Sequence, residues 1–124
     1  MSYMPQIKSD VHITPDRVWE IIKENWNYDK EEFFDPCPIN SKFNGLDINW
    51  KKLNFVNPPY SKQQESKKSL LALFVDKALR EKEVWQRTSI MLLPSKTDQS
   101  WFHKIKHFDI IWIEKRLKFI GNKW

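Results

Sequence analysis

Glycine is nearly absent from this chain: Gly45 and Gly121 are the only two in 124 residues. A G-x-G-x-x-G fingerprint and a Walker-type phosphate loop each need more, so nucleotide binding through a glycine-rich turn is excluded. Cysteine is scarcer still. Cys37 stands alone, which excludes an internal disulfide and a multi-cysteine zinc site and agrees with a reducing compartment. No apolar run is long enough to cross a bilayer, and no charged-then-apolar leader opens the chain. The expectation is an intracellular, cytoplasmic protein without a membrane partner. His103 and His107 lie four apart with no clear third ligand, and His12 is isolated, so no metal is expected. Repeats, linkers and low-complexity tracts are missing too.

What is present suffices for one folded domain. A chain of 124 residues, 40% hydrophobic and 15% aromatic, can bury a core but not two, so residues 1–124 are read as a single domain. Basic residues outnumber acidic ones by 21 to 16, for a net charge of +5. The excess favours a polyanionic partner such as nucleic acid, although many globular proteins carry as much without binding one.

The apolar spacing predicts alternating helices and strands. "TPDRVWEIIKENW" (14–26) reads as a helix with Thr14 as N-cap, Pro15 at the first helical position and Asp16 in the first turn. "EEFFDPCP" (31–38) reads as a strand ended by Pro36, and residues 39–50 as a loop containing Gly45. "KLNFV" (52–56) is the next strand. "SLLALFVDKALREKEV" (69–84) is a helix, and "TSIMLLP" (88–94) a strand buried on both faces. A loop and short helix capped by Asp98 fill 96–106; "FDIIWIE" (108–114) is a last strand, with "RLKFI" (116–120) pairing or leading away. Such an order argues for an α/β sheet, mostly parallel, with helices on both faces.

Ligands of these sheets sit outside the carboxyl ends of the strands. Three polar clusters fall there: Asp35, then Asn57 to Tyr60, then Ser95 to Asp98. In "NFVNPPYS" (54–61), Pro58 and Pro59 fix their own φ and push the residues before them towards extended backbone. Asn57 and the Pro58 carbonyl are thereby stiffened into one outward shape. Two acceptors so held could take both hydrogens of an exocyclic amine and draw its nitrogen towards tetrahedral geometry, freeing the lone pair for an electrophilic methyl. Tyr60 would give the ring a face to stack on, and no general base is needed. The plainer alternative is a proline turn with Tyr60 half buried. Asp35 could bind an ammonium or a ribose hydroxyl pair, or simply start a turn before Pro36; Asp47 shares that ambiguity. Lys62, Lys67 and Lys68 could meet phosphates or form a solvated face. Most of the seven tryptophans should be core, with Trp101, after a strand-end loop, the exception to watch.

In order, Thr14-Pro15, Asp35–Pro38 (D-P-C-P), Gly45–Trp50 (G-L-x-x-x-W), Asn57–Ser61 (N-P-P-Y-S), Leu92–His103 (L-L-P-x-x-T-D-x-x-W-F-H) and Arg116–Phe119 (R-L-K-F) resemble the phage-type, Dam-like DNA N6-adenine methyltransferases of bacteriophages and prophages. The likeness runs collinearly from about residue 12 to residue 120. N-P-P-Y is shared with many amino-methylating enzymes; the Leu92–His103 block is far more specific. The resemblance implies a reduced Rossmann-like, class I methyltransferase sheet and transfer of a methyl group from S-adenosylmethionine to adenine N6 in DNA. It further implies that Asn57 and Pro58, with Pro59 and Tyr60, hold the target base. Thr14 and Pro15 would meet the methionine end of the cofactor, Asp35 with Pro36 and Cys37 its amino group or ribose, and Asp47 its adenosine. Ser61, Thr97, Asp98 and Trp101 would lie on the substrate side. Related enzymes with the same claw methylate RNA adenine or a protein glutamine, and a degenerate relative would bind DNA or a partner without catalysis. Further sheet is expected after R-L-K-F, so the expectation is a trimmed form, a partial sequence, or a sheet completed by a second copy in a homo-oligomer.

Overall fold

A computed structural model describes residues 14–38, 42–59 and 69–113. Tyr60, Ser61, Lys62, Lys67, Lys68, His12 and the R-L-K-F segment lie outside the described residues. Helix α1 (Asp16–Trp26) buries Val18 and Ile22, four apart on one face. Its N-cap is Pro15 rather than Thr14, and no side chain caps it. The Thr14 hydroxyl is instead turned to Asn57, which removes it from the helix end. At the other end Asn27 enters the left-handed region (φ 61°) and its N–H closes on the Lys23 carbonyl.

The expected strand over 31–38 is largely replaced. Lys30–Glu32 forms a 3₁₀ turn, held where the Asp29 N–H donates to the Glu32 carboxylate at 2.7 Å. Only Phe34 then pairs, through a parallel bridge to Asn54. The prolines at 36 and 38 have no N–H with which to continue a ladder.

Strand β1 (Leu53–Val56) runs parallel to β2 (Thr88–Met91), with Leu53 opposite Thr88 and Val56 opposite Met91. With the Phe34 bridge on its other side, β1 is the central segment of three parallel ones. Alternate residues face opposite ways, as the strand period of two requires. Phe55 packs with Val18 and Ile22 of α1, with Ile90 alongside. Val56 packs with Trp50, Phe74 and Ala78, with Met91 alongside. The last two buried residues belong to α2 (Leu70–Trp85), capped by the Ser69 hydroxyl on the Ala72 N–H at 3.1 Å. Helices therefore cover both faces of a parallel sheet. Each large side chain so buried contributes about 1.5–3 kcal/mol of apolar transfer.

Two further expectations are corrected. Strand β2 stops at Met91 and is not buried on both faces: Thr88 is exposed and the next three residues are only partly covered. The cause is its place at the edge of the described sheet, whose order is β1-β2. Residues 108–113 hold no strand; the Phe108 N–H closes a turn on the Ile105 carbonyl, and Ile111 and Trp112 are exposed. Short helix α3 (Ser100–Ile105) is preceded by Gln99 as N-cap without a side-chain bond, so Asp98 does not cap it. Among the described residues no helix is long and apolar enough to cross a membrane.

Candidate active site

The Asp35, Asn57 and Ser95–Asp98 clusters follow three parallel segments, so all leave the sheet at its carboxyl edge. Pairing continues just past β2, where the Leu92 N–H donates to the Val56 carbonyl at 2.9 Å. The next residue after Val56 is Asn57. Pro58 and Pro59 behind it are fully buried, so the backbone that carries Asn57 is both stiff and packed. The Asn57 Nδ2 donates to Thr14 Oγ1 across a long 3.4 Å. Its Oδ1 is buried and, among the described residues, has no hydrogen-bond partner. A buried polar atom left unpaired costs about 1–3 kcal/mol, and such an atom in a native fold calls for an explanation.

Asp35 lies in a crowded bend. Its Oδ1 accepts from the Cys37 N–H at 2.8 Å, closing a turn around the buried Pro36. Crowding desolvates the carboxylate and raises its pKa, and the Cys37 N–H partly offsets the rise. The residue still exposes surface to water, which limits that rise. Burial, with the nearby Asp35 charge, pushes the Cys37 thiol up to about 12; it is a neutral packing group and not a nucleophile.

The G-L-x-x-x-W motif holds this bend in place. A Cβ on Gly45 would overlap the Pro36 carbonyl, so only glycine permits the approach. The Trp50 ring N–H then donates to the Gly45 carbonyl at 2.8 Å, with Trp50 in the core. Asp47, in the same loop, is exposed.

The third cluster divides. Thr97 and Asp98 are exposed in a turn, whereas Trp101 is 5% exposed and packs with Leu71 and Val75. Trp101 is a core ring, as Trp50 is, whereas Trp19 and Trp26 are only partly covered and Trp85 and Trp112 are exposed, so the expectation that most tryptophans are core does not hold among the described residues. Among the described residues no group of three His, Cys, Asp or Glu could hold a metal ion.

Sequence reasoning missed two polar residues at the opposite edge. Asn54, fully buried, accepts from the Lys51 N–H and donates to the Lys51 and Thr88 carbonyls. Glu81, 2% exposed, meets Arg87 at 2.7 Å and Lys77 at 3.2 Å and accepts from the Trp50 N–H. The available signal was a polar residue standing inside an apolar run, as Asn54 does between Leu53 and Phe55.

No curated protein and no solved structure matches the chain. The family model described as DNA N-6-adenine-methyltransferase (Dam) matches residues 1–124. With the whole length matched, the chain belongs to the DNA N-6-adenine-methyltransferase (Dam) family.

Proposed function

We propose that this chain, as a single domain on a reduced Rossmann-like sheet, transfers a methyl group from S-adenosylmethionine to the N6 amine of adenine in DNA. The observation that carries the reading is the Asn57 Oδ1 at the carboxyl end of β1, buried and without a partner among the described residues. An amine N–H placed there satisfies an acceptor that the fold leaves open. The Pro58 carbonyl takes the second hydrogen, so the nitrogen is held by two acceptors and its lone pair leaves conjugation with the ring. Positioning and electrostatics supply the rate, and a neutral amine needs no shifted general base. Tyr60 stacks on the flipped base.

S-adenosylmethionine, when bound, supplies an electrophilic methyl carbon. The donor set at this edge fits it. Asp35 is a crowded carboxylate whose pKa is raised by desolvation, and the cofactor's ammonium would give it a counter-charge. Its second acceptor face also suits a ribose hydroxyl. Thr14 and Pro15 lie beside Asn57, in place to meet the methionine end. Asp47 serves the adenosine, with Ser61, Thr97 and Asp98 on the DNA side.

The test is calorimetric titration of the chain with S-adenosylmethionine beside Asp35→Ala, followed by transfer of labelled methyl to adenine-containing DNA. Saturable binding lost in the variant, and label on adenine N6, are expected. Affinity should also weaken on acidification sooner than for an aspartate with the ordinary pKa of 3.8. No binding by the folded chain would overturn the reading.

A further inference from the structure

The edge of the sheet opposite Asn57 carries an open concavity of about 610 Å³. Lys51 and Lys52, entering β1, form one side of it; Trp85, Gln86 and Arg87, between α2 and β2, form the other. Among the described residues that line it there is no carboxylate. Trp85 is 57% exposed and its neighbour Val84 56%, an unusual placement for a large aromatic in so small a domain.

Its cationic wall is built rather than incidental. Buried Glu81 holds the Arg87 guanidinium at 2.7 Å, and the guanidinium carbon sits 5.1 Å from the Trp85 ring centroid. One ring face is thus covered by a cation while the ring stays largely open to solvent. Gln86 takes a left-handed backbone (φ 57°), a strained state for a side chain of its size and of the kind that collects at functional sites. The Gln86 and Arg87 N–H groups bond the Glu81 and Lys82 carbonyls. The negative end of α2 is thereby capped where an anion would approach.

We propose that this groove binds single-stranded DNA: Lys51, Lys52 and Arg87 meet successive phosphates and a base stacks on Trp85. A cationic track interleaved with an open aromatic face is the recognition pattern for unpaired nucleic acid, whose bases offer their π-faces. Duplex DNA would use the charges but leave Trp85 idle. The site lies on the opposite edge from Asn57 and stands independently of the methyl-transfer reading.

A labelled thymidine oligonucleotide tests it by fluorescence anisotropy, because thymine has no exocyclic amine for Asn57 to hold. Lys51→Glu with Lys52→Glu, both exposed, should weaken binding at least about tenfold and reduce the salt slope by about 1.4, near 0.7 per lost phosphate contact. Trp85→Ala should weaken it about tenfold, while Lys106→Glu, exposed and outside the groove's lining, should bind like the parent. Circular dichroism and the unchanged melting temperature of the lysine pair check folding. Parent-like binding by the lysine-pair variant, or an equal loss in Lys106→Glu, would overturn the site. Parent-like binding by Trp85→Ala would overturn its assignment to single strands.

Discussion

Asn54 and Asn57 lie three positions apart on one strand and its exit, yet they are opposites. The Asn54 side chain is fully buried and every group it offers is bonded, to Lys51 on its own segment and to Thr88 on the next. Among the described residues Asn57 has one long bond to Thr14 and a buried oxygen with none. The same chemistry thus closes one edge of the sheet and leaves the other unfinished. A satisfied buried amide is a structural clamp; an unsatisfied one calls for an explanation, as do the Trp19 ring N–H and the Ser89 hydroxyl, which are likewise buried without a partner among the described residues.

The sharpest way to break the comparison is to truncate both. Under the proposed reading, Asn57→Ala should lower methyl transfer by about 100- to 1,000-fold, the scale seen when one preorganised polar group is removed from a reacting centre. Its stability should hold or rise by up to about 1–3 kcal/mol, since the unpaired buried oxygen goes and only one long bond is lost. Asn54→Ala should do the reverse and cost about 3 kcal/mol, because a fully buried amide is removed and three part-buried backbone groups lose their partner. Urea titration and a labelled-methyl assay on both variants decide the matter. Equal stability losses would dissolve the distinction.

Gly45 joins the unfinished edge to the core, and its substitution should be the next largest effect. Gly45→Ala sets a Cβ against the Pro36 carbonyl, where backbone rather than a mobile side chain must give way. Destabilisation by about 2–4 kcal/mol is expected, with the amide resonances of Asp35 and Cys37 displaced in NMR spectra. A variant as stable as the parent, with those resonances unmoved, would show that the bend does not depend on this contact.

Those contrasts also explain what could be read in advance. The second helix and central strand were legible, predicted over 69–84 and 52–56 and found as Leu70–Trp85 and Leu53–Val56, because both rest on local apolar periodicity. The placement of Asp35 and Asn57 at one sheet edge followed from strand direction alone. The bonds that give the two asparagines their different fates were not legible: Asn54 to Thr88 spans 34 residues, Asn57 to Thr14 spans 43, and Trp50 to Glu81 spans 31. Thr14 looked like a helix cap because the local signal for that is strong; a distant amide claimed its hydroxyl. The apolar run at 108–113 had the composition of a strand, but a strand also needs a neighbour to pair with. Trp101 followed a polar loop in sequence while its ring turned into the core.

Glu81 sharpens the closed edge through pH. Burial raises its pKa, but hydrogen bonds from Arg87, Lys77 and the Trp50 N–H outweigh that and hold it below the ordinary 4.5. A depressed carboxylate pKa contributes stability that is fully present above the unfolded value and is lost as pH falls through the folded one. The urea midpoint should therefore hold down to about pH 4.5 and decline below it. Glu81→Gln should cost about 2 kcal/mol at neutral pH and lose that part of the acid slope. An identical slope in the variant would assign the acid sensitivity to other carboxylates.

The smallest effect asks whether the closed edge serves only the fold. Gln86 and Asn27 both end helices with positive φ, 57° and 61°. Asparagine tolerates that conformation, whereas glutamine gains nothing from it. Gln86→Gly should relieve strain and raise stability by about 0.5 kcal/mol after the glycine's greater unfolded-state freedom is counted, while Asn27→Gly should change it by less than about 0.3 kcal/mol. If the glutamine is retained for what it meets in the groove, Gln86→Gly should be the more stable protein and the weaker binder of the thymidine oligonucleotide. A gain in stability with binding unchanged would leave Lys51, Lys52 and Trp85 as the groove's working residues and Gln86 as a tolerated imperfection. Lost stability would mean that the side chain makes contacts worth more than its strain, and the edge would then be structural at this residue too.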